Sequence, residues 1–269
     1  MPENPLPTTH QELTASLRGL VQLGAEYAEQ SPEDAAAGVW WWGIPASEVH
    51  QHGAAPPTTR EAAVLALFWP TPEGPQVLLT ERSPELAKHP GQISFPGGGA
   101  EEFDSGPVAT ALREAQEETG LDPRRVTVIG TLPVAPIRIS GFVVTPVAAV
   151  AEDPGVLAPQ SGEVSRVLKI PVADLVEPQH RHTAVVVHRG PRLPSPAYLR
   201  TPGGPLSAPL PQPSRPKAPQ SRRSEPHGEQ EGWFIWGFTG TLLDRMLHRF
   251  GWERDWDRSK EIDPRHFRR

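Results

Sequence analysis

Three carboxylates stand on one turn of the stretch Gly97–Leu121, GGGAEEFDSGPVATALREAQEETGL. They are Glu114, Glu117 and Glu118, with Arg113 beside them and Gly97 and Gly98 upstream. In a helix, spacings of i+3 and i+4 put Glu117 and Glu118 on the same side as Glu114. Like charges so placed repel one another unless something neutralises them. Arg113 can neutralise only part of this cluster. A hard divalent cation, Mg²⁺ or Mn²⁺, would do the rest, because both favour oxygen ligands and commonly add substrate phosphates to a few carboxylates. Such ions can activate a phosphoanhydride. The alternative chemistry is none: a solvated acidic helix face.

The elements needed to position these groups are legible around them. Pro107 suits a first helical turn, where its missing N–H costs nothing. Asp104 and Ser105 precede it as caps. Gly120 is a stop signal, and Pro123 prevents continuation. The pattern predicts a helix over roughly 107–119, with Val108, Ala111, Leu112 and Ala115 on a packing face opposite the acids. Gly97 and Gly98 would let the chain approach the acidic face closely, where bulkier residues would resist.

These residues resemble the Nudix box: glycine, five residues, an acid, seven residues, then Arg-Glu-apolar-any-Glu-Glu-any-Gly-apolar. Arg113, Glu114, Ala115, Glu117, Glu118, Gly120 and Leu121 match its second half. The first half departs, with Asp104 as the acid and eight residues between it and Arg113. That expansion resembles the coenzyme A pyrophosphatase branch of the family. Residues 78–98, LLTERSPELAKHPGQISFPGG, are similar to the same branch's second signature, except that Ala87 stands where a second Arg is usual. Resemblance extends over Ile139–Pro146, Glu163-Val164 and Trp236–Gly240, so it covers about 60–188 and 232–250.

The resemblance implies an α/β fold, a Nudix-like α/β/α sandwich with a mixed sheet. It implies hydrolysis of a pyrophosphate in a nucleotide derivative, coenzyme A or acyl-coenzyme A being cleaved to (acyl-)4′-phosphopantetheine and adenosine 3′,5′-bisphosphate. Glu114, Glu117 and Glu118 would hold the metal and Arg113 would fix the acidic face. Arg82, Lys88 and His89 are the candidates for the 3′-phosphate, with Gly97 and Gly98 also in the substrate site. ADP-ribose or NADH would be alternative substrates. A nucleotide-sensing module without catalysis is the competing class, although such modules usually lose box carboxylates. Cap hydrolysis on RNA would call for a more basic surface.

Composition narrows the classes further. The chain of 269 residues has a formal net charge of −6, which argues against general nucleic-acid affinity. It has no cysteine, so thiolate metal sites and cysteine nucleophiles are excluded. No apolar run reaches membrane-spanning length and no signal-peptide pattern opens the chain, so a cytoplasmic protein is expected.

Organisation follows from local pattern. Residues 1–59 read as an extension with one helix, opened by the capping box Thr9–Glu12 and running to about Glu29. Residues 60–188 hold the catalytic domain, with strands expected at Ala62–Trp69, Gln76–Arg82, Val126–Leu132, Phe142–Ala149, Val164–Ile170 and Thr183–His188, and a helical turn at Ala173–Val176. Residues 189–231 read as a Pro-rich, disordered or extended insertion, since 11 of the 34 prolines fall between Pro191 and Pro226. Residues 232–269 resume order with a closing helix and a tail. The run Trp40–Trp42 cannot turn three indoles the same way, so it covers either the domain edge or a contact with a second copy.

Overall fold

The structure, a computed structural model, describes residues 4–30, 41–43, 60–137, 141–160, 162–187, 192–201 and 232–267. Helix α1 (His10–Gln30) starts as its sequence dictates. The Glu12 N–H donates to Thr9 Oγ1 at 3.3 Å, and the Thr9 N–H donates to Glu12 Oε2 at 3.3 Å. Both halves of the capping box are therefore made. Leu13, Leu17 and Leu20 form its buried stripe.

The main sheet is built around β1 (Arg60–Trp69), whose alternate residues serve two layers. Leu65, Leu67 and Trp69 enter one apolar cluster, Ala66 and Phe68 the other. Its neighbours are β2 (Gln76–Arg82), β4 (Gly97–Gly99) and β7 (Phe142–Val150). Also in the sheet are β3 (Ile93–Ser94), β5 (Thr127–Thr131), β6 (Ala135–Ile137) and β8 (Val164–Pro171). The order is β3-β2-β1-β7-β5, with β4 on β1, β6 on β7 and β8 on β2. Only β1 and β7 run parallel, so the sheet is mixed.

Helix α2 (Pro107–Thr119) packs on one face through Ala111 and Ala115. On the other lie α1 and α4 (Gly237–Phe250), with α3 (Val172–Val176) between the sheet systems. Two helical layers thus enclose the sheet, the architecture expected of alternating apolar strands and amphipathic helices. No helix among the described residues is long and apolar enough to cross a membrane.

Of the two readings of the Trp40–Trp42 run, packing against the chain's own domain is the one that Trp41 and Trp42 follow. Trp41 and Trp42 belong to the chain's own core, at 4% and 0% exposure. Their rings meet edge to face at 6.3 Å, and Trp42 Nε1 donates to the Pro133 carbonyl at 2.8 Å. The Arg249 guanidinium covers the Trp41 ring at 3.8 Å. Trp40 lies outside the described residues, as do Ile139 and Ser140.

One expectation, that for 189–231, needs correction. Residues Arg192–Arg200 form a strand, β10, that pairs with β9 (Arg181–Val187) along its length. It buries Ala197, Tyr198 and Leu199. Pro194 and Pro196 are tolerated because β11 (Trp233–Ile235), on the opposite side of β10, pairs only with Tyr198–Arg200. Composition therefore misread a strand whose stabilising partner lies elsewhere in the chain. Residues 202–231 fall outside the described ones.

The tail from Trp252 also packs. Its short strand β12 (Glu261–Ile262) joins β9 in parallel, completing the order β11-β10-β9-β12. Phe267 rests on Phe234 with ring centroids 4.4 Å apart. Arg181, fully buried, pairs with Asp244 of α4 and with Glu253 at 3.5 Å. Its guanidinium lies between the rings of Tyr198 and Trp256, at 4.5 and 4.7 Å.

Candidate active site

Local chemistry explains how α2 is presented. Gly106, not Asp104 or Ser105, takes the N-cap, and no side chain caps it. Gly120 closes the helix in the left-handed conformation (φ 71°), as a C-terminal glycine does at low cost. Asp104 serves a different purpose from the expected one. Its carboxylate accepts from Arg113 Nε at 3.1 Å and Nη2 at 2.9 Å, from Thr110 Oγ1 at 3.0 Å and from the Glu101 N–H at 3.0 Å. The paired Arg113, with the Glu101 N–H next, holds the Asp104 carboxyl well below the usual range.

Arg113 is the hub of the acidic face. Besides Asp104, it reaches Glu114 Oε1 at 2.9 Å and Glu117 Oε2 at 3.2 Å through Nη1, and the Gly99 carbonyl at 3.0 Å through Nη2. Its own pKa rises, chiefly through the bond to Asp104. One guanidinium fork therefore ties the helix to strand β4 and fixes two of the three candidate glutamates.

Glu118 is set apart. Its side chain turns under the glycine strand, where the Gly97 N–H donates to Oε2 at 3.3 Å. It is 7% exposed, and burial pushes its carboxyl up to about 7, Glu114 and Glu163 adding to the rise while the Gly97 N–H and Arg82 oppose it. Glu114 is also raised by burial, against the pull of Arg113. A buried carboxylate that has no cation bonded to it costs free energy in its charged form.

The glycines are required by space. A Cβ on Gly98 would stand 2.5 Å from the Glu114 carboxyl carbon, and one on Gly97 would stand 2.3 Å from the Ala63 carbonyl oxygen. The obstacle at Gly98 is the far end of a side chain and not backbone, so a methyl there should displace Glu114 from Arg113 while sparing the fold. Gly98→Ala is expected to lower turnover about 10-fold or more, roughly 1.4 kcal/mol in barrier, with an almost unchanged melting temperature. Wild-type turnover in this variant would count against the placement of Glu114.

Arg82 comes from the end of strand β2. Its guanidinium lies 3.4 Å from Glu163 and influences Glu118. The ion pair is thus with a carboxylate from outside the box. Lys88 and His89 are exposed in the following turn, His89 in the left-handed region (φ 55°). Among the described residues, no ion pair joins either of them to the box carboxylates. The residue that the sequence reading did not assign to the site is Glu163. Its only sequence signal is its position in the turn before the Ile-Pro strand.

The donor set suits a hard cation. Three carboxylates sit on one helical turn, two of them with raised pKa. Glycine at 98 leaves room that the Glu114 carboxyl group occupies. Among the described residues, no three acidic or imidazole groups are drawn together at metal-ligand spacing; Arg113 holds Glu114 and Glu117 instead.

A family model described as the NUDIX domain matches residues 59–189. The chain is 41% identical over 131 residues to a protein of Klebsiella pneumoniae named "Uncharacterized Nudix hydrolase NudL", covering 49% of this chain and 67% of that one. The NudL of Cronobacter sakazakii is 40% identical over the same length and the same shares. Among solved structures, the Nudix hydrolase RenU from M. smegmatis is 29% identical, with a TM-score of 0.37, covering 44% of this chain and 73% of its own.

A mixed sheet between helices, carrying an Arg-Glu-x-x-Glu-Glu helix beside a glycine strand, defines a pyrophosphatase of the Nudix type. This chain belongs to the Nudix hydrolase family. Enzymes of this family act on small nucleotide substrates and generally use divalent metal ions.

Proposed function

We propose that this Nudix hydrolase cleaves the pyrophosphate of coenzyme A or acyl-coenzyme A, releasing (acyl-)4′-phosphopantetheine and adenosine 3′,5′-bisphosphate. The observation that carries this reading is the segment 78–98. It resembles the coenzyme A branch signature, and two of its residues act on Glu118, Arg82 through charge and Gly97 through a hydrogen bond.

In this reading Glu114, Glu117 and Glu118 hold Mg²⁺ or Mn²⁺. When bound, such an ion supplies Lewis acidity and lowers the pKa of a coordinated water. The chain's own residues do the rest. Arg113 keeps Glu114 and Glu117 oriented, and the Gly97 N–H keeps Glu118 oriented. A carboxylate of the cluster takes the proton of the attacking water, a contribution typically of about 10²–10⁴-fold. Arg82 meets phosphate charge, with Lys88 and His89 beside it on the exposed turn. Cytoplasmic action is part of the same proposal.

The test is a screen of purified protein against coenzyme A, acyl-coenzyme A, ADP-ribose and NADH with Mg²⁺ or Mn²⁺, products being resolved by mass. Formation of 4′-phosphopantetheine is expected. Cleavage confined to ADP-ribose or NADH would replace the substrate assignment and leave the reaction class standing.

A further inference from the structure

Strand β4 carries three glycines, and the protein's own packing accounts for two of them. A Cβ on Gly97 would collide with the backbone of β1, and one on Gly98 with Glu114. Gly99 has no such reason. Among the described residues its Cβ would meet only Phe142 Cε1, at 4.0 Å, which is ordinary contact, and its backbone stays outside the left-handed region. A glycine inside a strand costs about 0.5–1 kcal/mol relative to alanine. It often marks a bulge or a place where a ligand or another backbone comes close. No bulge interrupts the pairing of Gly97–Gly99 with Ala62–Val64.

The ground around Gly99 is small and apolar. In register, Gly99 faces Ala62 of β1, and Ala62 faces Val144 of β7. Their side-chain positions lie on the sheet face turned away from α2, because the alternate residues Ala63 and Leu65 pack with Ala111 and Ala115. Phe142 shares that face, is half-buried, and reaches across β1 to Gly99 with its ring. The Arg60 guanidinium covers the ring at 4.1 Å and holds it in place by cation–π attraction.

This ground adjoins the acidic edge of β4. The Gly97 N–H bonds Glu118, which Arg82 also influences by charge, and the Gly99 carbonyl bonds Arg113. Arg82 stands where the register of β2 on β8 slips. Gly97 and Gly99 are two residues apart, roughly 6.5 Å along a strand. Arg82 thus acts at one end of β4 and Phe142 at the other, with Glu114 against Gly98 between them.

We propose that Gly99 and Ala62 form the floor, and Phe142 the wall, of a subsite for the 4′-phosphopantetheine half of the substrate. This rests on the coenzyme A reading above and says which half lies where. In that reading Arg82 meets phosphate charge on the nucleoside half. A substrate whose pyrophosphate crosses the acidic edge then carries its other half toward Gly99. The first apolar group beyond the scissile bridge is the pantoyl carbon with its two methyls, only an oxygen and a methylene from phosphorus. Those methyls pack on the Phe142 ring, over ground that a side chain at 99 would occupy. ADP-ribose and NADH bring a hydroxylated ribose to the same place, which gains less from an apolar wall.

The test separates the two halves. Coenzyme A hydrolysis would be followed with Mn²⁺, adding 4′-phosphopantetheine or adenosine 3′,5′-bisphosphate as inhibitor, for wild type, Phe142→Ala and Gly99→Val. Circular dichroism melts would accompany all three. In wild type both halves are expected to compete with coenzyme A. Phe142→Ala should raise the inhibition constant of 4′-phosphopantetheine about 5-fold or more, the order expected when two methyl groups lose an apolar contact. The constant of adenosine 3′,5′-bisphosphate should stay the same. Gly99→Val should act alike by filling the floor, and should melt no lower than wild type, because a branched residue suits a strand better than glycine. Weakening of adenosine 3′,5′-bisphosphate, alone or to the same extent, would put the nucleoside on Phe142 and overturn the assignment. Unchanged constants in both variants, or no inhibition of wild type by 4′-phosphopantetheine, would overturn it as well. Failure of the substrate reading itself looks different: coenzyme A would not be hydrolysed at all.

Discussion

Glu118→Gln should cut turnover at least 100-fold, about 2.7 kcal/mol in barrier, in a protein that remains folded. The carboxamide oxygen can still accept from the Gly97 N–H, which now bonds Oε2 at 3.3 Å. What disappears is an ionisable group whose carboxyl burial pushes up to about 7, charged at pH 8. Removing a buried charge relieves its desolvation cost, so the metal-free variant should melt at or above the wild-type temperature at pH 8. Activity and stability therefore move apart, which a mere packing defect would not produce. Near-normal turnover, or a large fall in melting temperature at pH 8, would remove Glu118 from its proposed role.

The second large effect is on stability as a function of pH and metal. In the metal-free protein, the Glu118 carboxyl is raised from 4.5 to about 7. Between those values the native state binds more protons than the unfolded chain, so stability falls as pH rises. The contribution of the neutral form is fully present below about 4.5 and gone once pH has passed through about 7. Its ceiling is about 3 kcal/mol, from 1.36 kcal/mol per pKa unit, and Glu114 shifts in the same direction. A divalent cation binds only the deprotonated carboxylates, so its stabilisation must grow over the same interval. Scanning calorimetry with EDTA or with Mn²⁺ should show a larger metal-induced rise in melting temperature at pH 8 than at pH 5.5. An equal rise at both pH values, or none, would contradict the assignment of these glutamates as ligands.

Much of the candidate site's geometry could be read from residues alone because its logic is local. Glu114, Glu117 and Glu118 lie within about one turn of one helix, and Gly120 ends that helix by its own conformational freedom. The capping box at Thr9–Glu12 was equally legible for the same reason. Asp104 shows where local rules mislead. An acid before a helix suggests a cap, but Arg113 lies one face further along and gives the carboxylate a stronger partner. Glu163 was not assigned because nothing near it in sequence announces that β8 returns beside β2. The slipped register at Arg82 is likewise a property of two strands together. β10 was missed in the opposite sense. Its prolines signalled exposure, yet Ala197, Tyr198 and Leu199 are buried by partners from β9 and α4.

The tail carries a consequence for how the chain is made. β9 has an open edge until Glu261 and Ile262 cover it, and Arg181 is without Glu253 and Trp256 until the same stretch arrives. Domains mature from the N-terminus during synthesis, but this one has to wait. A polypeptide halted before residue 252 would keep Asp244 and Tyr198 as partners of Arg181 but would leave the Thr183–Ala184 edge of β9 uncovered, an open edge of the kind that pairs with other chains.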